Sequence, residues 1–417
     1  MNRNNPIWLA SGLRTPFVKE NKEYKDISAL DLSVAVLNKM RNTAQVNPDY
    51  VSWGSVIPHL KHSNIAREAV LNSELKEETV AFTTTMACGT SLLGAIQLAA
   101  MIKDNELAIA GGVESMSNVQ LGLSDQTSKW LRVLPKVKGL LNQFKWLSKI
   151  FTFKLYIPPG VNVKTGKSMG EHAEITAQRL HIPKTSQDTL ALKSHQNYFS
   201  AKTNKFYNDL IFPAFGVIED LIPRKNTTLE KLTSLQPVFD KKSGKGTLTA
   251  GNSSLFTDGA AGVWLAGEKR IDELNTPYKA QLIDWEMAGV TIEEEGILMS
   301  PSFAIPRLLE RHGLTYDAID LWEIHEAFAS QVLATITNLE NPHHLQKVGS
   351  SFNFGKFPMN KLNINGSSIA IGHPFGATGA RILSQTIKQI TLLGKHKTAV
   401  ISICADGGLG TVVLIKT

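Results

Sequence analysis

The feature that most constrains this chain is an order of elements that occurs twice. From Ser91 to Ile102 the run S-L-L-G-A-I-Q-L-A-A-M-I carries apolar residues at helical spacing, and it leads into E-L-A-I-A-G-G, an apolar run closed by glycines. Much later, G-H-P-F-G-A-T-G-A-R-I-L-S-Q-T-I from Gly372 leads into T-A-V-I-S-I-C from Thr398, again followed by glycines. Helix, strand and glycine turn, repeated in one chain, imply a duplicated α/β unit. A length of 417 residues suits two such halves plus an insertion. The halves are expected at residues 1–119 with 245–270, and at 271–417. The insertion is expected at 120–244.

The chain holds two cysteines, Cys88 in M-A-C-G-T-S and Cys404 in I-C-A-D-G-G-L-G. A secreted fold of this size rarely rests on one bridge, and M-N-R-N-N-P-I-W-L-A lacks the apolar stretch of a secretory signal, so a reducing, cytoplasmic setting is expected. Either thiol alone reads equally as a small core hydrophobe. Context favours chemistry for Cys88. V-A-F-T-T-T-M-A reads as a buried strand and S-L-L-G-A-I-Q-L as a helix, which places Cys88 at a strand-to-helix junction. Unpaired NH groups and the helix dipole at such a junction predict a lowered thiol pKa. His373, held between Gly372 and Pro374 and ringed by Gly366, Gly376 and Gly379, offers an oriented base before a helix expected near Ala377. A lone histidine or a Gly-rich loop would each be a weak signal.

Taken together, the strings resemble the thiolase family, whose members make or cleave a carbon–carbon bond beside a coenzyme A thioester. The resemblance runs through P-I-W-L-A-S-G-L-R-T-P-F, the Cys88 junction, A-G-G-V-E-S-M-S from Ala110, S-M-G-E-H-A-E from Ser168, L-T-A-G-N-S-S-L-F-T-D-G-A-A from Leu248, H-E-A-F-A from His325, G-H-P-F-G-A-T-G and C-A-D-G-G-L-G. Seven ordered matches beyond the start of the chain are far more specific than one. It implies the family's five-layered α-β-α-β-α arrangement. His325 stands where N-E-A-F is widespread, and that variant, with S-N-I-A-R-E-A-V-L from Ser63, resembles the β subunit of the fatty-acid oxidation trifunctional complex. The resemblance therefore implies a 3-ketoacyl-CoA thiolase, an acetyl-CoA acyltransferase.

By that resemblance Cys88 is the nucleophile, His373 its activator and Cys404 the acid and base for the departing enolate and incoming coenzyme A. His373 and a water held by His325 would face the enolate oxygen, and the backbone NH groups of Cys88 and Asp406 the other oxyanion. Asp406 departs from the Gly or Ala usual there, and its carboxylate is expected to point away with only its NH serving. Ser367 replaces a Gly. Met169, Ser254 and Phe328 match the pantetheine arm, although singly they read as a core methionine, a turn serine and a core phenylalanine. Asn252, Asp258, Glu114 and Glu326 are expected to brace loops. No Cys/His cluster has zinc spacing, so no metal is expected, and coenzyme A enters as a substrate with no separate cofactor. The resemblance implies a homodimer or homotetramer and a hydratase/dehydrogenase α subunit as partner.

The insertion is unusual in charge. Gln126 to Gly170 contains no acid but includes Lys129, Arg132, Lys136, Lys138, Lys145, Lys149, Lys154, Lys164 and Lys167, which exceeds the whole chain's +7. On a helix, Leu140, Phe144, Leu147 and Phe151 share a face, with Lys138, Lys145 and Lys149 opposite. Two readings stay open: a face that covers the acyl tunnel, or a peripheral membrane or partner contact with Trp130 and Trp146 entering the headgroup region. No nucleic-acid motif accompanies the basic stretch, and no apolar run of about 18 residues spans a bilayer. The other functional readings are a biosynthetic acetoacetyl-CoA thiolase and a non-catalytic acyl-CoA-binding subunit.

Overall fold

The computed structural model describes residues 6–156 and 160–417. Ten of its strands form one sheet, nine of them in a single hydrogen-bonded path, and Gly122–Leu123 pairs with Leu155–Tyr156 apart from it. In the first half Val80–Phe82, Tyr50–Gly54, Leu107–Glu114, Thr257–Gly267 and Ile7–Ala10 follow one another, and in the second Lys279–Gly289, Leu409–Lys416, Thr398–Ala405 and Leu321–Ile324 do the same. Antiparallel pairing of Ile7–Ala10 with Lys279–Gly289 joins the halves, and Val18–Lys19 adds a short strand beside Thr257–Gly267.

Alternation along the strands shows why both faces must be covered. Ala108 and Ala110 face one core while Leu107 and Ile109 face another. Likewise Ile401 and Ile403 share the first core, and their neighbour Val400 belongs to a third. A strand with period-two side chains that are apolar on both sides is stable only between two layers. The shared core lies around two helices, Thr90–Met101 and Phe375–Leu393, which pack on each other and on strands of both halves. Ala29–Ala44 covers the first half from outside and Pro301–Arg311 the second. Helix, sheet, paired helices, sheet, helix is the duplicated α/β arrangement expected.

The contact between the central helices is close enough to exclude side chains. A Cβ on Gly379 would lie 2.5 Å from the Leu92 nitrogen. Ser91 Oγ accepts from the Ala380 NH at 2.8 Å at the same place, so each helix N-terminal turn is fixed against the other.

One expected strand differs. V-A-F-T-T-T-M-A forms a strand only over Val80–Phe82, and Val80 is exposed. It is the terminal strand of the sheet, paired on one edge alone, so β-branched content there reflects backbone preference and not burial. The helix after His373 begins at Phe375, two residues before Ala377. No helix of the described residues is long and apolar enough to cross a membrane.

Candidate active site

Three loops meet where the central helices start. Ala87, with φ of 44°, makes the sharp turn that puts Cys88 ahead of the helix capped at Gly89. Thr90 fixes that turn: its hydroxyl accepts from the Met86 NH at 2.8 Å and donates to the Ala87 carbonyl at 2.7 Å. The His373 NH donates to the Leu255 carbonyl, the Ser254 NH donates to the Ala327 carbonyl, and the His325 NH donates to the Ser402 carbonyl. Loops 252–256, 325–328 and 372–376 are thereby stitched by backbone bonds. Glu114 ties the last of them to the first half by accepting from the NH groups of Gly376, Val56 and Ile57 and from the Ser55 hydroxyl. The approach is tight, since a Cβ on Gly112 would lie 2.2 Å from the Gly376 carbonyl oxygen.

Cys88 Sγ lies 3.0 Å from His373 Nε2. The proton positions follow from the neighbours. Thr378 Oγ1 donates its single proton to the Pro374 carbonyl at 3.0 Å, so it accepts from His373 Nδ1 at 2.7 Å. His373 therefore carries its proton on Nδ1 and turns the Nε2 lone pair toward the thiol. Burial, with the Arg381 charge adding, holds the imidazole down at about 3, so it is neutral.

The thiol behaves against expectation. Burial, with the Asp406 and Glu114 charges adding, pushes Cys88 up to about 12. A helix terminus contributes about 0.3 to 2 kcal/mol, at most about 1.5 pK units, whereas burial shifts a group by up to about 3 to 5 units. Burial wins. The lowered thiol pKa expected from the sequence is corrected to a raised one, and the free protein holds an S–H facing a neutral nitrogen.

His325 sits beside this pair, its ring centroid 4.2 Å from that of His373. Cys88 Sγ and one nitrogen from each histidine lie within 4.8 Å of one another. Three such atoms could face a metal ion, but the same geometry serves proton transfer. Burial and the His373 and Arg381 charges hold His325 well below the usual imidazole range. Cys404 is the penultimate residue of the Thr398–Ala405 strand, buried, and burial together with the Cys88 charge pushes its thiol well above the usual range. Both sulfurs therefore hold their protons in the free protein, and negative charge on Cys88 would raise the Cys404 thiol further.

Asp406 follows at the turn. Its Oδ1 accepts from Asn162 Nδ2 at 2.8 Å and from the Gly407 NH at 2.6 Å. The carboxylate is thus held by the insertion and its own turn, yet its charge reaches Cys88. Asn162 was not legible as a site residue, because its only sequence signal is a polar residue in an otherwise basic loop.

Of the candidate coenzyme A contacts, Met169 and Phe328 pack against the apolar cluster that contains Cys404, and Phe328 meets Phe239 edge-on. Ser254 Oγ donates to the Ala327 carbonyl at 2.9 Å, which leaves its lone pairs for a ligand. Glu326 accepts from Ser194, Asn363 Nδ2 and the Ile369 NH. Asn252 bonds the Thr249 NH and Asp258 the Ser117 NH. These four acids and amides, Glu114 included, brace loops as expected. Ser367 is fully buried, and its NH donates to Ser194 Oγ.

The basic insertion differs from its reading. Asp125–Val133 and Leu140–Leu147 are separate helices, and Phe151 lies in a 3₁₀ turn. Leu140, Phe144 and Phe151 are 76%, 70% and 93% exposed, so in this chain the apolar face does not cover a tunnel. Trp130 and Trp146 stack at 4.4 Å, and each indole NH donates to the other's carbonyl at 2.9 Å. The tryptophans pin the two helices together and are not free to enter a headgroup region. Apolar periodicity alone could not separate a face that packs from one that projects.

Residues 7–269 match the family model described as thiolase, N-terminal domain, and residues 276–417 match thiolase, C-terminal domain. The chain belongs to the thiolase family. Among curated proteins, 3-ketoacyl-CoA thiolases of Vibrio cholerae and Photobacterium profundum are each 34% identical, over 98% of this chain and 97% and 96% of their own length. Among solved structures, the Bacillus anthracis acetyl-CoA acetyltransferase superposes with a TM-score of 0.81 at 27% identity, covering 99% of this chain and 98% of that one. The human mitochondrial 3-ketoacyl-CoA thiolase gives 0.78 at 25%, over 99% of both chains. A thiolase from Ascaris suum in complex with coenzyme A gives 0.78 at 25%, over 99% of this chain and all of that one. Thiolases are acyltransferases, so the paired thiols and histidines lie in an enzyme of that class.

Proposed function

We propose that this thiolase cleaves 3-ketoacyl-CoA with free coenzyme A to give acetyl-CoA and a shortened acyl-CoA, as in fatty-acid β-oxidation, through an acyl group on Cys88. The observation that carries the reading is the 3.0 Å contact of the Cys88 thiol with the lone-pair nitrogen of His373. The activity for which the relatives are named supports the substrate class. The coenzyme A complex of a structural neighbour supports coenzyme A as a ligand.

In this mechanism the Cys88 proton passes to His373 Nε2 as sulfur attacks the C3 carbonyl, and a raised thiol pKa keeps the nucleophile unspent until that carbonyl is in place. Electrons return from the C3 alkoxide, the C2–C3 bond breaks, and the enolate of acetyl-CoA forms. Cys404 gives its proton to C2, and its thiolate then takes the proton of incoming coenzyme A. The coenzyme A sulfur attacks the Cys88 thioester and expels Cys88, which recovers its proton from His373. Backbone NH groups of Cys88 and Asp406 hold one oxyanion. His373 and the His325 side hold the other. Met169, Ser254 and Phe328 line the pantetheine arm. No metal and no separate cofactor are required.

The projecting face of Leu140, Phe144 and Phe151, with Lys138, Lys145 and Lys149, extends the reading to a peripheral contact with an anionic membrane surface or a hydratase/dehydrogenase subunit. Assembly as a dimer or tetramer belongs to the same proposal.

Thiolysis of 3-ketohexadecanoyl-CoA, followed by mass spectrometry of Cys88, tests the central claim. Turnover with an acyl adduct on Cys88 is expected. Failure of both would overturn it in favour of a binding subunit, and turnover confined to acetoacetyl-CoA would favour the biosynthetic reading.

A further inference from the structure

Behind the two histidines lies a chain of buried groups that the mechanism above does not use. Arg381 is 2% exposed, and its Nη2 donates to Ser368 Oγ at 2.7 Å. Ser368 Oγ in turn lies 2.8 Å from His325 Nδ1. A guanidinium only donates, so Ser368 must accept from it. Ser368 is fully buried, and its one hydroxyl proton then has a single partner among its bonds, His325 Nδ1. That nitrogen is the acceptor, and the ring proton of His325 sits on Nε2. His325 Nε2 is buried and has no partner among the described residues.

We propose that Ser368, oriented by Arg381, locks His325 in the Nε2–H tautomer, so that His325 offers a fixed NH donor beside Cys88 and His373. Ser368 and Arg381 are positioning residues: they touch no substrate atom and act through His325. This deepens the thiolase reading and rests on it for the identity of the oxyanion.

The chemistry requires the lock for a specific reason. A neutral imidazole can face a developing oxyanion with a donor or with a lone pair, and only the donor stabilises it. The neighbouring His373 has the opposite tautomer, with its lone pair toward the thiol, because Thr378 accepts from its Nδ1. Two adjacent imidazoles thus present a base and a donor, set by hydroxyls of opposite role. Burial first, and the Arg381 charge with it, lowers the pKa of both rings, which keeps each neutral and makes its tautomer decisive. Glu323 lies near Arg381 on the Leu321–Ile324 strand, fully buried; burial pushes its carboxyl up to about 8, and the Arg381 charge opposes that rise.

The test uses the full chain labelled with ¹⁵N-histidine, the His325 signals being identified by their loss in His325→Asn. The expected result is an Nε2–H shift pattern in the ligand-free protein, and a shift toward mixed tautomers in Ser368→Ala. An Nδ1–H pattern in the unsubstituted protein would overturn the lock whatever the activity. Kinetics tests its use. Ser368→Ala should lower kcat about tenfold or more with KM within about twofold, since removing one oxyanion donor costs about 10² to 10³. Ser368→Thr, which keeps the hydroxyl, should restore most of the rate. In a His325→Asn background Ser368→Ala should cost nothing further. An equal loss in both backgrounds would show a merely structural serine and overturn the proposal. Absence of thiolysis in the unsubstituted protein would count against the thiolase reading alone, because the tautomer is read independently.

Discussion

The junction of the central helices and the basic insertion at residues 125–156 are built on opposite plans. At the junction, every element is fixed by at least one other: Gly379 against Leu92, Gly112 against Gly376, and the His373 NH against Leu255. In the insertion, Thr127 is the one fully buried residue between Asp125 and Tyr156. Its principal tertiary device is the reciprocal Trp130–Trp146 pair, which ties the insertion to itself. The comparison teaches that chemistry needing a 3.0 Å sulfur–nitrogen contact is placed where packing over-determines the backbone, while a surface meant to meet something else is left free of the core.

The sharpest way to break this contrast is at the sulfur. Cys88→Ala should abolish the acyl adduct and lower kcat by at least about 10³-fold with little change in thermal stability, because the substitution removes a single atom, the sulfur. A retained adduct would move the nucleophile elsewhere. Next in size is the proton's location. With Cys88 held near 12, iodoacetamide alkylation of the free protein should rise about tenfold per pH unit up to about pH 11, since the thiolate fraction grows by that factor below the pKa. A plateau by pH 8 would show that the helix terminus outweighs burial after all. Asp406→Asn should speed alkylation at fixed pH, because the Asp406 charge raises the thiol.

A smaller effect tests the packing directly. Gly112→Ala places a methyl group 2.2 Å from the Gly376 oxygen and should cost about 1 to 3 kcal/mol, read as a lower midpoint in urea, with a parallel fall in kcat. Phe144→Ser in the insertion should change stability by less than about 0.5 kcal/mol. If the two variants were equally destabilised, the insertion would be part of the core. The smallest expected effect is catalytic: replacing Lys138, Lys145 and Lys149 by glutamate should leave thiolysis unchanged but weaken cosedimentation with anionic vesicles. Unchanged cosedimentation removes the membrane arm of the proposal.

Much of the site was legible before any coordinates. Cys88 could be placed at a strand-to-helix junction because apolar spacing changes character on either side of it, and His373 could be offered as its base because Gly372 and Pro374 hold it in a turn. Thr378 was within reach too, since it lies in the first turn of the helix that follows His373. Ser368 and Arg381 were not. Each matters only through an atom-to-atom relation with His325, and spacing in the chain carries no information about a bond between residues 43 positions apart. The pairing of Trp130 with Trp146 escaped for the same reason, since a periodic apolar stripe has one appearance whether its aromatics project or stack.

The sequence by itself determined the repeated helix and strand units, the two thiols, the histidine loops and the concentration of lysines, because these depend on local periodicity and residue type. The tertiary structure alone decided the direction of the Cys88 shift, the opposite tautomers of His325 and His373, the anchoring of Asp406 by Asn162 and the exposure of the apolar insertion. All four depend on distance and burial, and those are set only when the two halves close on their shared helices.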